Sequence, residues 1–200
     1  VISIIIAEDQ SLLRGALAAL LSLEHDIQLL AQARNGTEAL KLTDALKPDV
    51  LVTDIEMPGL TGIEAAEHLR QAGAVTKVLI VTTFARPGYL QRALQAGVSG
   101  YVLKDAPSAE LADAIRKVAS GRRAISAEIA ENTSIPAIML SGRERDILRL
   151  AETGRSNKDI ARALTLSPGT VRNYLANATE KLGAANRIEA FQIARENGWL

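Results

Sequence analysis

The stretch DVLVTDIEMPGLTG, residues 49–62, decides how the first half of the chain is read. A short β-branched run, 50–53, stops at Asp54. A second acid, Glu56, follows, and Pro58-Gly59 turn the chain. A strand apolar at consecutive positions is covered on both faces, and such strands belong to parallel sheets packed between helices. An Asp at its end is by default a turn former. The alternative is a reactive carboxylate held at the rim of a sheet, and the neighbouring segments choose between the two.

Working outward, the same pattern repeats. Strands are expected at 2–7, 27–33, 50–53, 78–82 and 100–103. Between and after them, helical patterns at 11–22, 36–46, 62–71, 88–96 and 108–120 place apolar residues three and four apart. Five such units predict right-handed crossovers and an α/β doubly wound five-stranded parallel sheet over residues 1–121. Residues 122–139, with weak periodicity and Pro136, read as a linker. From 140 to 200 the strand signal is gone. Helices are expected at 141–153, 157–164, 168–182 and 186–197, an all-α four-helix domain. Ser167 is set as an N-cap before Pro168, and Gly154, Gly183 and Gly198 serve as stops.

Two hundred residues suit one large domain or two small ones, and the composition is ordinary for globular protein. Apolar residues make up 48% and charged residues 23%. The absence of Cys excludes disulfides and thiolate centres. No 20-residue apolar span or leader pattern is present, so a cytoplasmic protein with no membrane segment is expected. Formal neutrality hides an asymmetry: 13 Lys/Arg against 16 Asp/Glu in 1–136, and 10 against 7 in 137–200. An acidic front and a basic tail suggest different partners.

In a doubly wound sheet, ligands bind at the carboxyl ends of the strands. Glu8 and Asp9 follow the first expected strand, Asp54 the third, Thr82 the fourth and Lys104 the fifth. Clustered carboxylates repel one another and call for a hard cation with oxygen ligands, which points to Mg²⁺. Asp54 is then a candidate nucleophile forming an acyl phosphate. Lys104 would meet a phosphate oxygen as a point charge, and Thr82 would supply a hydroxyl donor.

The segments IIIAEDQ, LVTDIEMPG, LIVTTFA and GYVLKD resemble the motifs of response-regulator receiver domains, in the same order over residues 1–121. The resemblance implies that Asp54 accepts phosphate from a sensor histidine kinase. It implies Mg²⁺ ligation by Glu8, Asp9 and Asp54, with the backbone carbonyl of Glu56. Thr82 and Tyr101 match the switch pair, in which the hydroxyl moves toward the phosphate and the ring follows inward. Asp105 stands where many receivers carry Pro after the Lys, which leaves the geometry of the Lys104–Asp105 peptide open. An aspartate-nucleophile phosphohydrolase would also use two acids and Mg²⁺. Here the second acid is Glu56 and no further hydrolase motif follows, so no enzyme turnover is expected.

In the tail, two helices about three residues apart suit a helix-turn-helix, with Ile160, Ala161, Leu164, Leu166, Val171, Leu175 and Leu182 available to pack together. A plain helical domain would share that periodicity. LSGRERDILRLAETGRSNKDIARALTLSPGTVRNYLANATEKLGAANRIEA resembles the NarL/FixJ, LuxR-type DNA-binding domain. The resemblance implies sequence-specific binding to double-stranded promoter DNA through the 168–182 helix. Arg172 and Asn173 would read bases. Lys158, Thr170, Tyr174, Asn177 and Lys181 would contact phosphates. Tyr174 stands where the family often has His. Within the family, TTFARPGY, GTVRNYL and NRIEA look most like regulators of a membrane-lipid desaturase.

The helix at 11–22 is apolar almost all round. One stripe must face the sheet, so the excess reads as a protein contact surface. A homodimer formed on phosphorylation is expected through Leu13, Ala16 and Leu17 together with the 108–120 helix. The fourth helix with its lead-in is the competing surface. His25 and His68 read as surface residues, and Trp199 as packing the end of the last helix.

Overall fold

The apolar runs form strands, and each is followed by a helix. The computed structural model describes residues 1–83, 87–125 and 140–200. In chain order the first unit contains β1 (Ile2–Ala7), α1 (Ser11–Leu21), β2 (Ile27–Ala33), α2 (Gly36–Leu46), β3 (Val50–Thr53) and α3 (Gly62–Gln71). It continues with β4 (Lys77–Thr82), α4 (Pro87–Gln95), β5 (Gly100–Leu103), α5 (Ser108–Ala119) and β6 (Ala124–Ile125). Among the described residues the strands make one parallel sheet in the order β2-β1-β3-β4-β5-β6.

The doubly wound architecture is as expected, with one strand more than five. β6 spans two residues that the sequence reading gave to the linker. It pairs Ala124 with Gly100 and Ile125 with Tyr101. Two residues are too few to show a period of two, so only the sheet edge reveals them. Residues 126–139 of the expected linker lie outside the described residues, as do 84–86 before the fourth helix.

Strand alternation sorts the core into two layers. Ile4, Ile6, Val50, Val52, Leu79, Val81 and Val102 pack against Leu17, Ala18 and Leu21 of α1 and Leu111, Ile115 and Val118 of α5. Helices α1 and α5 therefore share one face of the sheet. Ile5, Leu51, Ile80 and Tyr101 alternate with that set and are fully buried. A side chain so placed contributes about 1.5–3 kcal/mol relative to exposure. Polar ends are closed locally. Asn35 caps α2, and Thr61 and Glu64 form a reciprocal capping box at α3.

The chain forms two compact units, the sheet with its helices and the C-terminal helices. The second unit contains α6 (Gly142–Glu152), α7 (Asn157–Leu164), α8 (Pro168–Lys181) and α9 (Arg187–Glu196). Ile147, Leu148, Ile160, Val171, Ala178 and Ala194 form its centre, with Trp199 packed at the end of α9 as expected. Between α7 and α8 the chain turns through Thr165 in the left-handed conformation, φ 56°. The Leu166 N–H donates to the Ala161 carbonyl at 2.8 Å, which satisfies a terminal acceptor of α7. Ser167 then caps α8, with Pro168 at its first position.

Candidate phosphoacceptor pocket and nucleic-acid interface

Parallel strands deliver their carboxyl ends to one edge, and the sheet order puts β1, β3, β4 and β5 side by side. Asp54 follows β3 and is almost fully buried, as is Glu8 after β1. Asp9 is exposed. One carboxylate oxygen from each of these three lies within 4.8 Å of the others. From the far side, the Lys104 ammonium reaches Glu8 Oε2 at 2.7 Å and Asp54 Oδ2 at 2.8 Å. The other Asp54 oxygen, Oδ1, accepts the Ile55 N–H at 2.7 Å.

The electrostatics follow from this geometry. Burial pushes the Glu8 and Asp54 carboxyls above their ordinary range, against the opposing effect of the Lys104 hydrogen bonds. Burial also works against the Lys104 ammonium, but hydrogen bonds to Asp54 and Glu8 outweigh it and hold its pKa above the usual value. Three carboxylates against one ammonium leave the pocket an excess of negative charge. A hard divalent cation with oxygen ligands suits that donor set. The Glu56 side chain is exposed, and Asp54 and Glu56 flank the buried Ile55.

Thr82 ends β4 and is buried, and its carbonyl accepts the Lys104 N–H at 2.8 Å. Tyr101, one residue along β5 from Gly100, is also buried. The Lys104–Asp105 peptide is trans.

Three residues that build the pocket escaped the sequence reading. The Arg14 guanidinium reaches back from α1 and donates to the Glu8 carbonyl at 2.6 Å and the Asp9 carbonyl at 3.4 Å, which holds the acidic loop. A Cβ at Gly62 would overlap the Asp54 carbonyl oxygen. A Cβ at Gly36 would overlap the Leu60 carbonyl. Both ends of the loop after β3 thus lie directly against glycine backbone. Neither glycine has a positive φ, so close approach is the reason for both. A Gly opening a helical pattern was the available signal.

On α1 the predicted contact residues divide between core and surface. Leu17 belongs to the core, Leu13 is half-buried against it, and Ala16 is exposed. The outer stripe is Leu12 (88% exposed), Ala16 and Leu20 (44% exposed). An almost uniformly apolar helix carries no phase signal, so only packing selects the inward side.

In the second unit, Arg172, Asn173 and Asn177 lie on the exposed side of α8, opposite the buried Val171, Leu175 and Ala178. Lys158 is exposed at the start of α7. Tyr174 is half-buried against the core. Thr170 Oγ1 lies 2.8 Å from Ser167 Oγ. Lys181 is exposed at the end of α8. Its ammonium is held by both oxygens of the buried Glu144 carboxylate, at 2.9 and 2.8 Å. His68 is exposed, with Nδ1 2.8 Å from the Glu64 carbonyl, and His25 is exposed on a loop. Among the described residues no helix is long and apolar enough to cross a membrane.

Comparison with known proteins agrees with both units. Residues 4–116 match the response regulator receiver domain, and residues 139–194 match the bacterial regulatory proteins of the luxR family. The transcriptional regulatory protein DesR of Bacillus subtilis (strain 168) is 50% identical over 198 residues, covering 99% of this chain and 98% of its own. The uncharacterized transcriptional regulatory protein YvfU of the same organism is 51% identical over 199 residues, covering 100% of both chains. The crystal structure of the response regulator ChrA of a heme-sensing two-component system is similar with a TM-score of 0.59 and 36% identity, over 100% of this chain and 98% of that one. The chain belongs to the NarL/LuxR family of two-component response regulators, with a receiver domain followed by a LuxR-type helix-turn-helix DNA-binding domain of the kind that regulates transcription.

Proposed function

We propose that Asp54 accepts a phosphoryl group from a sensor histidine kinase, and that the modified receiver dimerises and binds promoter DNA in a sequence-specific way. One observation carries this reading: Asp54, Glu8, Asp9 and Lys104 converge on a single sheet edge, with Lys104 bridging the two buried acids at 2.7 and 2.8 Å.

An Asp54 carboxylate oxygen attacks phosphorus. The P–O bond to Asp54 forms as the P–N bond to the kinase imidazole breaks, and the imidazole leaves with the electron pair. Mg²⁺ held by Glu8, Asp9, Asp54 and the Glu56 carbonyl would offset the repulsion between these carboxylates and the incoming phosphoryl group. Lys104 releases the carboxylate and pairs with a phosphate oxygen. Thr82 donates its hydroxyl to the same group, and Tyr101 packs behind it. The β3 strand and the glycine-lined loop hold the Asp54 backbone still during the transfer.

The outer stripe of α1, with α5 beside it on the same face of the sheet, is the surface through which two copies associate. Phosphate at Asp54 shifts an existing equilibrium toward the dimer-competent form. Helix α8 enters the major groove, where Arg172 and Asn173 meet base edges while Lys158, Thr170 and Asn177 meet phosphates.

Intact-mass measurement after incubation with acetyl phosphate and Mg²⁺ tests the chemistry. The wild type should gain one phosphoryl group and Asp54→Ala none. An unchanged wild-type mass would overturn the proposal.

A further inference from the structure

The side chain of Lys181, the last residue of α8, is 43% exposed, yet its charge is already paired. Both oxygens of Glu144 hold its ammonium, at 2.9 and 2.8 Å. Glu144 is only 3% exposed, and it is already in use elsewhere. It completes a capping box in which the Ser141 N–H donates to Glu144 Oε2 at 2.6 Å and Ser141 Oγ accepts the Glu144 N–H at 3.2 Å. One buried carboxylate therefore ties the first turn of α6 to the last turn of α8. The other end of α8 is fixed separately, by Val171 buried in the core and by the tight turn from α7, in which the Leu166 N–H donates to the Ala161 carbonyl at 2.8 Å. A rigid helix pinned at both termini has its axis set, and with it the height of every side chain on its outer face.

We propose that Lys181 is a positioning residue: chelated by Glu144, it fixes the axis of α8 against α6 and so presents Arg172 and Asn173 to base edges, and it makes no phosphate contact of its own. The inference rests on α8 being the helix that enters the groove. It predicts a pattern of loss unlike that of a phosphate ligand. A lysine on phosphate adds affinity for every sequence and steepens the salt dependence. A lysine that aims the helix affects only the contacts that read sequence.

The test uses the full chain, phosphorylated with acetyl phosphate, and two duplexes. One is recovered from a random pool by selection with the wild type, and the other is its scrambled counterpart. Lys181→Met should bind the selected duplex about tenfold more weakly, the size of one lost or misaligned base contact. It should bind the scrambled duplex as the wild type does, with the slope of log affinity against log salt unchanged. Glu144→Gln, which keeps the capping box, should do the same. Combining Glu144→Gln with Lys181→Met should cost no more than either alone, and it removes the risk that an unpaired buried carboxylate unfolds the single variant. A slope reduced by about one, with equal losses on both duplexes, would show a phosphate contact and overturn the inference. An unchanged preference for the selected duplex would show that the pair only stabilises the fold, and would overturn it too. If the wild type selects no sequence at all, the reading of α8 fails first and takes the inference with it.

Discussion

Lys104 Nζ lies 2.7 Å from Glu8 Oε2, and both side chains are almost wholly enclosed by the receiver unit. The same ammonium lies 2.8 Å from Asp54 Oδ2. A single cation thus screens two buried acids from each other. Removing it should leave both uncompensated. Lys104→Met is expected to lower receiver stability by about 3–5 kcal/mol at neutral pH, by urea unfolding. Adding Glu8→Gln should restore much of the loss. A change of a few tenths of a kcal/mol would show that the pocket relaxes freely around its acids.

The glycine contacts give a separate prediction. Gly62→Ala drives a methyl group into the Asp54 carbonyl, which is backbone and cannot swing aside. A destabilisation of about 1–3 kcal/mol is expected, with slower phosphoryl uptake from acetyl phosphate. Gly15 on α1 is the control, because a Cβ there meets nothing within 4 Å. Gly15→Ala should leave uptake intact and stabilise by about 0.5–1 kcal/mol. Equal effects at the two positions would contradict the packing argument.

Ala16→Glu places a charge in the exposed apolar stripe of α1 without touching the core. Sedimentation should find this variant monomeric after phosphorylation, with the intact mass still showing a full phosphoryl gain. Leu17→Ala, by contrast, should act through stability, at about 2–5 kcal/mol for a buried leucine. A phosphorylated Ala16→Glu protein that dimerises as the wild type does would move the interface elsewhere.

An ionic clasp closes the same face. Arg116 Nε donates to Asp26 Oδ2 at 2.7 Å, and Nη2 donates to Glu24 Oε2 and Asp26 Oδ1 at 2.6 Å. The Arg116 hydrogen bonds hold the Asp26 carboxyl at about 2, below its ordinary 3.8. Because the folded value is the lower one, the unfolded chain takes up the proton first in acid. The contribution of Asp26 is therefore present above about pH 4 and is lost as pH falls toward about 2. The stability difference between wild type and Asp26→Asn, by urea unfolding, should be constant above pH 5 and shrink across that window. A difference flat across it would disprove the coupling.

Arg172 and Asn173 project from α8 on the side away from Val171 and Leu175. Arg172→Ala is expected to cost about 1–3 kcal/mol on a selected duplex and far less on a scrambled one. Equal losses would reassign Arg172 to the phosphate backbone.

Much of this was legible in the linear chain. Residues 50–53 had to be a doubly covered strand, and the run from Ser167 to Gly183 declared its own start and stop. Those readings depend on period, propensity and caps, which act over a few residues. The pocket acids were legible for a related reason: once the strands are parallel, each carboxyl end must reach the same edge. Comparison with known motifs then supplied the chemistry that spacing alone left open.

Other features were settled only when distant segments met. The two residues of β6 acquire meaning from the free edge of β5. The inward side of α1 depends on which stripe the sheet accepts, so Leu17 went to the core and Leu12 to the surface. Gly36 and Gly62 matter for the carbonyls that lie against them. Lys181 is a surface cation in the sequence and in the structure, but only the fold pairs it with Glu144, 37 residues earlier. Local sequence determined where hydrogen-bonded elements begin and end, because those energies are short-range. Partner choice among charges and close backbone contacts was decided by the tertiary fold, because burial sets both the cost of a bare carboxylate and the room for a methyl group.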